Sequence, residues 1–242
     1  ITAAFKHYFR ILFGSDHPYG QPYTGSGTEE SISAITRDDL VDYYNSNYFS
    51  SNASVIVAGD ITVEEAVSKL EKSLGKWKKG ETALSEVPDA EPRTSTEVYL
   101  LDKPSAPQSV IIMGNLGLRR SDPDYLATSV MNAAFGSQFT SRLNMNLRQD
   151  KGYTYGTGSF FSSRKGIGPF GAYAPVQTQF TKASIQELLK ELNDLVGPRP
   201  LTDNEVADTK NNLINKFPRK FEGLSGITDQ ADDLVMFNLP DN

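Results

Sequence analysis

Histidine is the first place to look for chemistry, and this sequence holds two, His7 and His17, ten positions apart. A catalytic zinc site usually takes three protein ligands, commonly with two histidines close together on one helix. Neither H-x-x-E-H nor H-E-x-x-H occurs, so these residues spell no catalytic zinc site. His17, between Asp16 and Pro18, reads as a loop residue, and His7 as a helix residue, exposed or half-buried. Cysteine is absent, which excludes disulfides, thiolate metal sites and a cysteine nucleophile. Ser-His-Asp hydrolysis would have to use one of the same two histidines, and the G-x-S-x-G elbow that presents a nucleophilic serine is missing. Gly156-x-Gly158 has the look of a phosphate loop, but it lies in a strand pattern with no helix after it to bind an anion. Asn52-Ala53-Ser54 spells a glycosylation tripeptide, a pattern short enough to arise by chance.

Composition narrows the classes further. The 242 residues are 38% hydrophobic and 22% charged, enough apolar material for a sizeable core and too much for disorder. Net charge is −6 and the isoelectric point about 5.0. Basic residues are scattered and the short run Lys76, Lys78, Lys79 stands isolated, so no nucleic-acid partner is expected. No stretch approaches the ~20 apolar residues of a membrane span. The lack of cysteine fits a bacterial exported protein, and the periplasm is the expected compartment.

The elements that must position any site can be read from caps and periodicity. Residues 1–15 read as the end of an amphipathic helix, followed by a loop from His17 to Pro22. Thr36 caps a helix with Asp38 and Asp39 in its first turn. The β-branched run Ser54–Ala58 reads as a buried strand. Thr62 and Glu65 form a capping box ahead of a helix that Gly75 ends. Residues 80–97, polar and rich in Pro and Glu, read as a linker. A strand is expected over Gln108–Met113. Asp122-Pro123 opens a helix to Phe135, and Thr140 or Ser141 opens another with Leu143 and Leu147 stacked four apart. Residues 153–163 alternate as a strand, with Tyr153, Tyr155, Thr157, Ser159 and Phe161 on one face. Residues 167–175 are its antiparallel neighbour, with Pro169 marking an edge or a bulge. Helices follow over Thr181–Val196, from the capping box Thr202–Glu205 to about Phe217, and over 224–239, before the chain stops at Pro240-Asp241-Asn242. A short turn between neighbouring strands demands antiparallel pairing, so the fold class is α+β, an antiparallel sheet with helices packed on one face.

Three segments together resemble the pitrilysin/insulinase family of inverzincin metallopeptidases. The first is His17-Pro18-Tyr19-Gly20 with Gly25, Glu30-Ser31-Ile32 and Ile35-Thr36-x-x-Asp39-Leu40. The second is Ser51-Asn52-Ala53-Ser54-Val55-Ile56-Val57-Ala58-Gly59-Asp60. The third is Phe135-Gly136-Ser137-Gln138-Phe139-Thr140-Ser141-Arg142-Leu143, running into Leu147-Arg148-Gln149-Asp150-Lys151-Gly152-Tyr153-Thr154-Tyr155. Their order and spacing cover the chain from about residue 15 to 239.

The resemblance implies homologous α+β domains repeated in tandem, forming half of a clamshell. It implies that residues 1–79 are the C-terminal part of a first peptidase-like domain, 80–97 the linker, and 98–242 most of a second domain lacking its final strand and helix. On that reading the chain is a truncated piece. The zinc motif would stand upstream or on a partner subunit, and zinc would belong to the intact enzyme and not to these residues. The family's substrate-holding arginine and tyrosine, seven positions apart, fall on Arg148 and Tyr155, with Tyr153 beside them. An arginine fork can grip a carbonyl or carboxylate, and a tyrosine hydroxyl can donate to a developing oxyanion. The implied partners are a peptide substrate and a zinc-motif domain or subunit. The same reading has residues 30–77 completing a second domain, either in cis or by swapping between the chains of a homodimer. The implied function is the substrate-binding portion of a zinc metalloendopeptidase; the alternative is a non-catalytic scaffold subunit on the same fold.

Overall fold

A computed structural model describes residues 1–21, 25–82 and 86–240. Pro22 of the expected loop, residues 83–85 of the expected linker, and Asp241 and Asn242 lie outside the described residues. Contacts divide the chain into two compact units, one of Ile1–Ser26 with Val87–Asn215, the other of Gly27–Glu86 with Lys216–Asn242.

The first unit is built on a three-stranded antiparallel sheet ordered β1-β3-β2, with β1 at Gln108–Leu116, β2 at Gly158–Phe161 and β3 at Pro169–Gln177. The α+β class expected from the sequence is thus the observed one. Alternation assigns the faces. Ile111, Ala172, Ala174 and Val176 point to one side, where they meet Phe135, Leu143, Leu147 and Leu188 in a core. The helices supplying those residues are α5 (Tyr125–Asn132) with a π-helical turn at Ala133–Ser137, α6 (Arg142–Asn144) with a π-helical continuation at Met145–Asp150, and α7 (Thr181–Val196).

The other face is covered by α1 (Thr2–Phe13). Phe5 meets Phe160 and Tyr173, ring centroids 5.7 and 5.9 Å away. The Tyr8 hydroxyl donates to the Phe170 carbonyl, and burial pushes its pKa upward. This approach needs glycine at position 114, where a Cβ would collide with the Phe170 carbonyl and the Tyr8 hydroxyl. The sequence placed α1 as a helix but gave no sign of the sheet it covers.

The second unit holds α2 (Glu29–Ala34), α3 (Arg37–Asn47), α4 (Val63–Leu74) and α9 (Leu224–Phe237). The Thr36 cap is present in both directions with Asp39. At Thr62 only one half of the expected box forms, the hydroxyl accepting from the Glu65 amide. The expected strand Ser54–Ala58 forms no ladder among the described residues, and Val55 and Val57 stand about half exposed at 53% and 50%. A β-branched run favours extended backbone, but a strand exists only with a partner edge.

Candidate functional site

Arg148 and Tyr155 flank a loop anchored at both of its ends. The helix carrying Arg148 is fixed by its buried neighbours Leu143 and Leu147, both 0% exposed and four apart as the stacking predicts. It is fixed again at its start by Arg142, whose guanidinium grips both oxygens of Glu205 at 2.6 and 2.7 Å and donates to the Pro200 carbonyl at 2.8 Å. That fork holds the Glu205 carboxyl down at about 2, with the Thr202 amide helping and burial opposing. Glu205 lies in the first turn of α8 (Asp203–Lys216), so one ion pair ties the two helix starts together.

The helix then widens. The Lys151 amide donates five residues back to Asn146 (3.0 Å), and Tyr153 donates six back to Leu147 (2.9 Å). Between them Gly152 adopts φ +65°, the left-handed conformation that closes helix ends. Widened turns of this kind concentrate at functional sites. The chain leaving Gly152 runs beside β3 without being a strand. The Tyr153 carbonyl accepts from the Gln177 amide at 3.1 Å, the Thr154 hydroxyl donates to the Pro175 carbonyl at 2.5 Å, and the Thr157 hydroxyl donates to Tyr173 at 2.6 Å. Side-chain hydroxyls stand where ladder amides would. The expected strand over 153–163 therefore begins only at Gly158, and the shared face from Tyr153 to Phe161 is not realised: Thr157 and Ser159 are buried while Tyr155 is 89% exposed.

Asn144 joins the two sides of the site. Its amide group donates to the Phe139 carbonyl at 2.9 Å, and its oxygen accepts from the Thr157 amide at 3.4 Å. Phe139 is the platform of Arg148, whose guanidinium carbon lies 4.6 Å from the ring centroid. Among the described residues, Arg148 makes no hydrogen bond or ion pair, and the Tyr155 hydroxyl has no partner. Tyr153 differs: its ring stacks on Phe180 at 4.5 Å and 20°, and its backbone is bonded on both sides. The three residues singled out in the sequence thus share one clamped loop, with two polar groups unspent and the third ring committed to packing. Sequence reading missed Arg142, Asn144 and Thr154 as the residues that hold this loop. The S/T-R-L pattern alone carries no signal that its arginine meets Glu205, 63 positions away.

The donors present do not fit a zinc ion. His7 is exposed on α1. His17 is buried with both ring nitrogens occupied: Nδ1 accepts from the Tyr19 amide at 3.0 Å, so Nε2 carries the proton it donates to Pro88 at 2.9 Å. No cluster of three His, Cys, Asp or Glu able to hold a metal occurs among the described residues.

The model of the peptidase M16 inactive domain matches residues 34–213. An uncharacterized zinc protease of Streptomyces coelicolor is 29% identical over 201 residues, which cover 81% of this chain and 43% of that protein. A probable mitochondrial-processing peptidase subunit beta of Arabidopsis thaliana is 24% identical over 218 residues, covering 84% and 40%. The chain thus spans less than half the length of these relatives. Among solved structures, the peptidase M16 inactive domain from Pseudomonas fluorescens superposes with a TM-score of 0.87 at 24% identity, covering 99% of this chain and 56% of the other.

Proposed function

The chain belongs to the peptidase M16 inactive-domain family, and from that premise we propose that it is the substrate-holding part of a zinc-dependent metalloendopeptidase. Hydrolysis would be carried out by a zinc-bearing domain or partner subunit; no cluster of metal-binding side chains occurs among the described residues. This chain's residues would bind and orient an extended peptide. Arg148, raised on the Phe139 ring, presents its guanidinium fork to a substrate carbonyl or carboxylate. The Tyr155 hydroxyl donates to the oxygen on which charge develops. Tyr153 holds the loop through its stack on Phe180, leaving only its hydroxyl for a substrate.

The observation that carries this reading is the contrast within the loop. Tyr153, Thr154 and Thr157 tie it to β3 by hydrogen bonds, while the two groups suited to a peptide are left unspent. A rigid scaffold holding free donors is what preorganised binding requires. The test is titration of a fluorescently labelled, unstructured peptide with the 242-residue chain. Binding by the unaltered chain that weakens about tenfold or more in Arg148→Ala, with folding intact, supports the reading. Equal binding by both removes Arg148 from it, and no binding by either turns the reading toward a scaffold subunit.

A further inference from the structure

The widened turn that carries Arg148 is fastened to α7 at both of its ends. It is closed by the Lys151 amide, which donates to the Asn146 carbonyl at 3.0 Å. At its start, the Asn146 side chain donates from Nδ2 to Glu187 at 2.9 Å and to Glu191 at 2.8 Å. At its close, the Lys151 ammonium pairs with Glu187 at 3.7 Å. Arg148 lies between these two anchors.

The Asn146 contact is specific. Glu187 and Glu191 stand four apart on α7, where like charges repel. Lys151 offsets the first, and Arg199 pairs with the second, which is buried. The Asn146 amide bridges the two. Carboxylates accept and do not donate, so the group that faces them is the amide nitrogen. The Asn146 oxygen is left buried without a donor among the described residues. Position 146 therefore uses an amide for its two N–H donors.

The direction of Arg148 depends on how this turn is wound. Each residue of an ordinary α-helix advances by about 100°, and a widened turn advances by less per residue. Relaxing the turn to α-helix would swing Arg148, and with it the guanidinium that rests 4.6 Å from the Phe139 ring centroid.

We infer that Asn146, gripped by Glu187 and Glu191, is the positioning residue that keeps this turn wide and sets the aim of Arg148. That aim matters to a substrate on the reading of Arg148 as a peptide-gripping group; the geometry itself is open to a separate measurement.

In the 242-residue chain, NMR should show the Arg148 side-chain protons shifted upfield by the Phe139 ring, a displacement that Phe139→Leu abolishes. Asn146→Ala should lose most of that displacement with the fold intact. Glu187→Ala, which leaves Glu191 to hold Asn146, should lose part of it. Glu187→Gln, which keeps an acceptor in place, should restore it. Labelled peptide then reads the consequence. Asn146→Ala should bind about tenfold more weakly, and adding Arg148→Ala should weaken binding no further, since one residue acts through the other. An undiminished ring shift in Asn146→Ala would overturn the inference, as would losses that multiply in the double variant. Should Asn146→Ala not fold, an undiminished shift in Glu187→Ala overturns it in the same way. Equal peptide binding by the parent and Arg148→Ala would remove the binding reading alone, with the ring shift still deciding whether Asn146 sets the aim.

Discussion

Arg148, Tyr155 and Tyr153 sit within eight positions of one another in the sequence, yet their surroundings separate them. Arg148 rests on Phe139, Tyr155 stands 89% exposed, and Tyr153 is stacked on Phe180. Removing Arg148 or the Tyr155 hydroxyl therefore takes little from the fold, and melting temperatures of Arg148→Ala and Tyr155→Phe should stay close to the parent's. Tyr153→Ala loses a stacked, half-buried ring and should cost about 1–2 kcal/mol in denaturant unfolding. Tyr153→Phe keeps the ring and should cost almost nothing; a loss of peptide binding in that variant would give its hydroxyl a direct role. The candidate pair was legible because residue type and spacing carry a family pattern. The different fate of Tyr153 was not, because its partner Phe180 lies 27 positions on and no periodicity connects them.

The element that presents the pair is a helix with an unusual end. Gly152 at φ +65° is the pivot, and Gly152→Ala, forcing a β-carbon into left-handed backbone, should cost about 1 kcal/mol. The opposite end depends on Arg142 and Glu205. Arg142→Ala should destabilise the chain by about 2 kcal/mol, less than a fully buried pair would lose because Glu205 is partly solvated. The pair also sets an acid response. The Glu205 carboxyl drops from 4.5 to about 2 on folding, so its contribution is present above about pH 4.5 and is lost as pH falls toward 2. Unfolding followed across that window should steepen with acid in the parent and flatten in Arg142→Ala; parallel curves would mean the ion pair does not couple to folding. Helices such as α7 and α8 were legible because caps and stripes are local signals, and their observed bounds follow them. Widened turns carry no such local code. Neither does the failure of Ser54–Ala58 to pair or the late start of β2, which depend on a partner edge and on the hydroxyls of Thr154 and Thr157.

At the scale of the molecule, an inactive domain of the M16 family presents unspent arginine and tyrosine groups on a clamped loop, with no cluster of metal-binding side chains among the described residues. Peptide binding tests the proposed role in this chain alone, and its effect on hydrolysis shows in concert with a zinc-bearing domain or subunit. The most direct measurement is cleavage of an unstructured fluorogenic peptide by the assembled peptidase, with a chelator control, comparing the parent with Arg148→Ala and Tyr155→Phe. Chelator-sensitive cleavage whose kcat falls about 10²-fold in each variant, with the fold intact, is the predicted result. Cleavage that proceeds at the parental rate in both variants would contradict it and leave the two side chains as ordinary surface groups.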